Sequence, residues 1–314
     1  MLRISLGVAC ALVLMALCGC GAPGTDEAAV APELEVAAPS EPGVIEIKAE
    51  DFAFTAPPTF PSGWVKLRFD NQGAETHFVM ILELPEGVTF DDYVTDVGKP
   101  FNDLYKLYRA GELDQGAFFV QLTEAVPEWI FTARRAGGPG FTAPGGQSET
   151  MIHLTPGDYI IECYVRTMAE GDTFHNHQGM LRPLIVTAED SGMVAPEADV
   201  EITLSNYTLT VEGDLTAGSH VARVEVQEDP EGLVFHNVHL VKLDDGTSAE
   251  TVAGWMNWVD AMLPPAPAHF LGGAGQASAG GEASYLSFDL EPGRYAWVSE
   301  MQGIQGMVQE FTVD

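Results

Sequence analysis

Hydrophobic and polar positions alternate along this chain in short runs, and turn residues punctuate the runs. Ile45 to Phe54 (IEIKAEDFAF), His77 to Leu84 (HFVMILEL), Leu154 to Cys163 (LTPGDYIIEC), Val200 to Leu209 (VEITLSNYTL), His236 to Leu243 (HNVHLVKL) and Leu290 to Ser299 (LEPGRYAWVS) all read this way. A period of two sends successive side chains to opposite faces, so these runs predict strands. Gly, Pro, Asn and Asp between them predict turns. Two stretches carry helical patterning instead. One is Phe90 to Glu112 with Leu122 to Arg134, and the other is Ser248 to Met262.

The runs come in matched pairs. Gly137-Gly138-Pro139-Gly140 matches Gly272-Gly273-Ala274-Gly275, and Gly145-Gly146 matches Gly280-Gly281. LTPGDYIIEC matches LEPGRYAWVS, and QGMLRPLIVT matches QGMVQEFTVD. Upstream, IEIKAEDFAF pairs with VEITLSNYTL, and HFVMILEL with HNVHLVKL. Self-similarity of this kind marks an internal repeat. It predicts one β-sandwich over residues 44–188 and another over 199–314, with a linker from Glu189 to Asp199.

Composition agrees with a packed β protein. The 314 residues suffice for about two domains. They are 46% hydrophobic and 19% charged, which allows a core and argues against wholesale disorder. Formal charge is −32, from 46 acidic and 14 basic residues. Such a field repels nucleic acid and anionic lipid headgroups. It reads either as a solvated surface or as an acidic face that steers a basic partner or a cation.

The N-terminus changes the picture more. Met1-Leu2-Arg3 supplies a positive charge, and Ile4 to Leu17 is apolar but too short to span a bilayer. The run ends in Leu17-Cys18-Gly19-Cys20, which resembles the bacterial lipoprotein box. That resemblance implies a signal peptide over residues 1–20, lipidation at Cys20, and a flexible tether over residues 21–43. An ordinary signal peptide is the alternative. The expected location is therefore exported and lipid-anchored to the bacterial envelope, facing periplasm or exterior. Processing would remove Cys10 and Cys18 and block Cys20. Cys163 is then a single thiol without a disulfide partner, which calls for full burial or a ligand role.

Around Cys163 the chain gathers metal-ligand chemistry. A His follows an Asn/Gly turn (Asn71 to His77). A Gly-x-Tyr strand ends in Cys163, a loop carries His175, and Gly179-Met180 precedes the last strand of the repeat. This order resembles the cupredoxin (blue-copper, plastocyanin-like) family. The resemblance implies an all-β fold of two tandem Greek-key β-sandwiches with short helical insertions, and a copper cofactor. It implies His77, Cys163 and His175 as ligands, with His175 five residues before Met180, and Met180 as the weak axial ligand. A thiolate, two imidazoles and a long thioether suit both Cu(I) and Cu(II).

Departures from the family leave the ligand set open. Tyr164 to Phe174 lengthens the usual short spacing between Cys and His. His177 competes with His175, since the two point the same way if the segment is extended. Glu75 or Glu162 could supply an oxygen and give an altered copper centre. The second repeat keeps His236 and Met307 but has Ser299 at the Cys163 position and Gln302 at the His175 position, so no such copper site is expected there. His236 and His239 should face opposite sides of a strand.

Each residue also has a plainer reading. Cys163 can be a small buried hydrophobe, His77 a satisfied strand histidine, and Met180 core packing, since Met307 shares its position. His153 reads as a solvated face residue, and His220 and His269 as loop residues. Trp255, Trp258 and Met262 read as a packing stripe. The Gly-rich segments lack the Lys-Ser/Thr ending of a phosphate cradle. The leading expectation is a membrane-tethered mononuclear copper protein for electron transfer, docking on a basic redox protein. Copper sensing or delivery, and a metal-free β-sandwich binding module of the envelope, are the alternatives. An enzyme of the multicopper oxidase or nitrite reductase kind would need several His-x-His elements, and only His175-Asn176-His177 has that spacing, so no enzymatic role is expected.

Overall fold

A computed structural model describes residues 41–314, apart from residue 170 and residues 231–234. The expected signal peptide, Cys20 and nearly all of the tether lie outside the described residues. Among the described residues the fold is all-β with short helices. Strand Val44–Glu50 runs parallel to the long strand Thr59–Asn71, which pairs antiparallel with Gln147–Leu154. Its inward positions Ile45, Ile47 and Ala49 are buried and alternate with exposed ones, as the two-residue period requires. In the facing layer, Gly157–Glu162 lies between Met80–Glu83 and Leu181–Asp190, antiparallel to both. Tyr159 to Glu162 are all buried. Such a strand is covered on both faces, and the helical insertion supplies part of the cover: Tyr93 donates its hydroxyl to Glu162 at 3.0 Å.

The second half repeats this pairing. Val200–Ser205 runs parallel to Gly218–Glu228, which pairs antiparallel with Ser284–Leu290. Gly293–Val298 lies between His236–Lys242 and Val308–Val313. The halves share ladders, because Gln147–Leu154 pairs with Ser284–Leu290 and Arg135–Gly137 meets His269–Ala277. At their centre the two Gly-rich runs face each other. Gly140 N–H donates to Gly273 O at 2.9 Å, and Gly275 N–H donates to Gly138 O at 2.8 Å. The repeat relates Gly138 to Gly273 and Gly140 to Gly275, so each bond is the other's image, as in a two-fold contact. A Cβ on Gly140 would stand 2.6 Å from both Gly273 Cα and His239 Nδ1. Close backbone approach is thus what these glycines provide.

Apolar packing does not stop at residues 189–199. The larger core cluster includes Val241, Leu243, Val252, Phe270 and Val298 of the second half. A second cluster lies wholly within residues 200–313.

The helical stretches fall where expected, with shifted bounds. Thr89 and Asp92 form a capping box that starts Phe90–Tyr93, followed by a π turn, Val94–Gly98, and by helix Lys99–Arg109. Helix Gln115–Ala125 starts well before the expected Leu122, because the Asp114 side chain accepts from Ala117 N–H and caps it. Helix Ala249–Trp255 stops short of Met262. Asn257 Oδ1 accepts from Val259 N–H, and that local turn competes with helical pairing. His220 is not a loop residue. It sits on strand Gly218–Glu228, 2.6 Å from Asp199 Oδ2 and 2.8 Å from Thr216 O.

Candidate metal centre

Three side chains from distant segments converge behind the strand layer. His77 follows the turn after Thr59–Asn71. Asn71 is fully buried there, and its Nδ2 donates to Glu75 O at 2.9 Å and Thr142 O at 2.8 Å, while its Oδ1 accepts from Gly73 N–H. His77 itself exchanges backbone hydrogen bonds with Thr142. Cys163 follows strand Gly157–Glu162, and its N–H donates to Met180 O at 3.0 Å. His175 opens the single turn His175–Gln178, and its carbonyl accepts from Met180 N–H at 3.0 Å. All three side chains are fully buried.

Their donor atoms form a compact triangle. His77 Nδ1 and His175 Nδ1 are 3.0 Å apart, and Cys163 Sγ lies 3.9 Å from the first and 3.5 Å from the second. The point equidistant from the three lies about 2 Å from each, close to a metal–imidazole bond and slightly inside a metal–thiolate bond of about 2.3 Å. The outer nitrogens are both occupied. His77 Nε2 donates to Asp51 Oδ1 at 2.7 Å, and His175 Nε2 donates to Glu75 Oε2 at 2.8 Å. That choice of tautomer leaves both Nδ1 lone pairs facing one another across 3.0 Å. Only a proton or a cation between them relieves the repulsion, and a soft cation would engage the sulfur as well.

The electrostatics favour neutral, ligating imidazole. Burial pushes His77 down to about 4, aided by repulsion from His175 and opposed by Asp51. Burial works against the Asp51 charge, but Ala74 N–H and His77 outweigh it and hold that carboxyl below its ordinary value. Burial pushes the Cys163 thiol up to about 12, against backbone N–H groups of Val165 and Phe78 that favour the thiolate. A metal ion must therefore displace a firmly held proton to bind the sulfur.

Among the described residues, His77, Cys163 and His175 are the one group of His, Cys, Asp or Glu side chains disposed to hold a metal ion. His177 does not join them. The segment is a helical turn, not an extended strand, so residues two apart point to different sides. His177 is exposed and packs its ring toward Phe101 and Phe174. Glu75 and Glu162 do not enter the donor triangle either. Glu75 accepts from His175 and from Thr167, and Glu162 accepts from Tyr93 and Asn176. Met180 is fully buried and tied through its backbone to both Cys163 and His175.

Sequence reasoning missed Asp51 and Phe52. They sit between the first two strands, and the Phe52 ring lies 4.8 Å from that of His175. No short motif could reveal a contact spanning 26 residues. A hint was available in Gly73, where a Cβ would collide with Asp51 and stand 2.6 Å from His77 Nε2.

The equivalent place in the second half carries a hydrogen-bonded set. Ser299 N–H donates to Met307 O, and Met307 N–H to Gln302 O, repeating the backbone frame of Cys163, Met180 and His175. Ser299 Oγ donates to Gln302 Oε1 at 3.1 Å. His236 Nε2 donates to Glu228 O at 3.0 Å, and its Nδ1 has no partner among the described residues. His239 lies elsewhere, stacked on Phe141 and accepting from Phe141 N–H at 3.0 Å.

No family model matches this chain, and no curated protein matches it. Among solved structures it is similar to Na-dithionite-reduced auracyanin from the photosynthetic bacterium Roseiflexus castenholzii, with 21% identity and TM-score 0.26 over 47% of this chain and 98% of that one. It is similar to auracyanin B at 23% identity and TM-score 0.28, over 38% of this chain and 93% of that one. It is also similar to a multicopper oxidase at 13% identity and TM-score 0.21, over 86% of this chain and 88% of that one. At TM-scores this low the functional reading rests on the chain's own atoms.

Proposed function

We propose that this chain is a mononuclear copper protein for electron transfer. The observation that carries the reading is the His77–Cys163–His175 triangle, with both outer imidazole nitrogens clamped by carboxylates. Copper supplies one-electron exchange between Cu(I) and Cu(II). The residues supply two aligned imidazoles and a thiolate, and Met180 is the axial thioether candidate. Full burial of the donors keeps water out and limits rearrangement between redox states. Burial also argues for electron carriage over copper delivery, which needs an accessible metal. In this reading Cys20 carries the lipid that tethers the protein to the envelope, facing periplasm or exterior, and the acidic surface docks a basic redox protein.

The test is copper loading of the soluble form from Gly21 onward, with metal analysis and visible absorption, beside a Cys163→Ser variant. One copper per chain with an intense thiolate-to-copper band, absent from the variant, is the expected result. Absence of stoichiometric copper, or identical behaviour of the two proteins, overturns the reading and favours a metal-free binding module. Palmitate labelling lost on Cys20→Ala tests the anchor separately.

A further inference from the structure

His77, Cys163 and His175 are each 0% exposed, so any ion that reaches their donor atoms passes through cover. On one side that cover is a single turn. Asp51 and Phe52 form the tip between strand Val44–Glu50 and the short strand Ala53–Thr55. Asp51 is exposed and Phe52 half-buried, while the two histidines beneath them are fully buried. Asp51 Oδ1 accepts from His77 Nε2 at 2.7 Å. The Phe52 ring centre lies 4.8 Å from that of His175 and 6.5 Å from that of His77. The tip therefore touches both imidazoles and solvent at once.

Few contacts hold the tip down. Strand Ala53–Thr55 has one ladder partner, Val44–Glu50, and pairs with it at three positions: Lys48 with Thr55, Ala49 with Phe54 and Glu50 with Ala53. Its apolar hold is Phe52 and Phe54, both only partly buried. Besides His77, Asp51 binds Ala74 N–H, through Oδ2 at 2.7 Å. Two glycines let the tip seat this low. A Cβ on Gly73 would stand 2.6 Å from His77 Nε2, and one on Gly179 would stand 2.7 Å from Phe52 O. The other segments around the triangle are anchored more firmly. His77 exchanges backbone bonds with Thr142, Cys163 is tied to Met180, and fully buried Arg166 pins the hairpin that leads to His175. Local opening favours segments with exposed backbone bonds and few buried apolar contacts. The Asp51–Phe52 tip is such a segment.

We infer that the Asp51–Phe52 tip is a gate over the donor triangle, and that a soft metal ion enters and leaves where it lifts. Lifting breaks the Asp51 bonds to His77 and Ala74 and withdraws Phe52 from the His175 ring. The outer edge of His77 and one side of His175 then meet solvent, with Cys163 Sγ 3.9 and 3.5 Å behind their Nδ1 atoms. As an ion route the gate rests on the copper reading above; as an opening onto Cys163 it does not.

The soluble form from Gly21 onward keeps every described residue and has Cys163 as its one thiol. Its labelling, metal-free, by the small reagent methyl methanethiosulfonate reports the opening without copper. Local opening exposes little surface, so the labelling rate should be almost independent of urea below the unfolding transition. Phe52→Ala and Asp51→Ala should each raise that rate about ten-fold. Tyr207→Ala, at an exposed aromatic of the second half, should leave it unchanged. Copper uptake by the same proteins should accelerate in the same order. If Phe52→Ala does not fold, Asp51→Ala decides. A rate that neither gate variant raises, or one that follows urea with the full slope of global unfolding, overturns the gate. Faster labelling of the variants in a chain that binds no copper supports the opening and overturns the copper reading instead.

Discussion

Asp51 and Glu75 are acidic residues with one oxygen each on the outer nitrogen of a buried histidine. Carboxylates in that position fix the tautomer and hold the ring in its plane, and their loss commonly costs 10–100-fold in metal affinity. Asp51→Asn and Glu75→Gln should each weaken copper binding by about that factor in a chelator competition, with thermal stability of the metal-free protein little changed. A second residue-scale prediction concerns His239. Burial pushes it down from 6.5 to about 3. Below pH 6.5 the unfolded chain binds a proton that the folded chain refuses, so stability falls as pH drops from 6.5 toward 3. Between pH 6.5 and 4.5 this one group should contribute about 2 kcal/mol of loss. Denaturant titrations should show His239→Gln losing less than the parent over that interval.

At the scale of elements, the long segment between Cys163 and His175 decides whether the site forms. It folds as a two-residue ladder, Arg166–Thr167 against Thr173–Phe174. Arg166 is fully buried, donates to Ala261 O at 2.6 Å, and pairs with Asp172 at 2.7 Å, while Arg109 of helix Lys99–Arg109 reaches the other Asp172 oxygen. Asp172→Ala leaves a buried guanidinium without its counter-charge, which should cost about 3 kcal/mol in chemical denaturation. It should also lower copper affinity, because the same hairpin returns His175 to Cys163. The strands themselves were readable from sequence, since period-two burial writes itself into each run. This hairpin was not, because its anchors are Arg109, Asp172 and Ala261, far apart in the chain. The placement of His177 has the same origin. An extended segment would align it with His175, and one helical turn separates them.

For the whole molecule, the repeated glycine runs are a backbone contact between the halves, beside the ladder of Gln147–Leu154 with Ser284–Leu290. Gly140→Ala would place a methyl against Gly273 and His239, and overpacking of this kind costs about 2 kcal/mol. Thermal unfolding should record that loss, while an alanine at Gly145, where a Cβ meets nothing within 4 Å but φ is +71°, tests backbone strain alone. The second half predicts stoichiometry. Ser299 and Gln302 satisfy each other by a hydrogen bond where the first half has open donors, so metal analysis should find one copper per chain, not two.

Much of this was settled by the amino-acid order. Period-two alternation dictates strands, and the repeat dictates that both halves pair alike. The order of His77, Cys163, His175 and Met180 resembles the cupredoxin family, and that resemblance implies soft-metal chemistry. Spacing along a chain cannot state which side chains meet, because a folded site is assembled from contacts closed over long loops. The tertiary structure alone decided that Asp51 and Glu75 hold the imidazoles and that His177 turns toward Phe101 and Phe174. It also decided that the glycine runs serve backbone contact. Each of these depends on groups far apart in sequence reaching the same few ångströms of space.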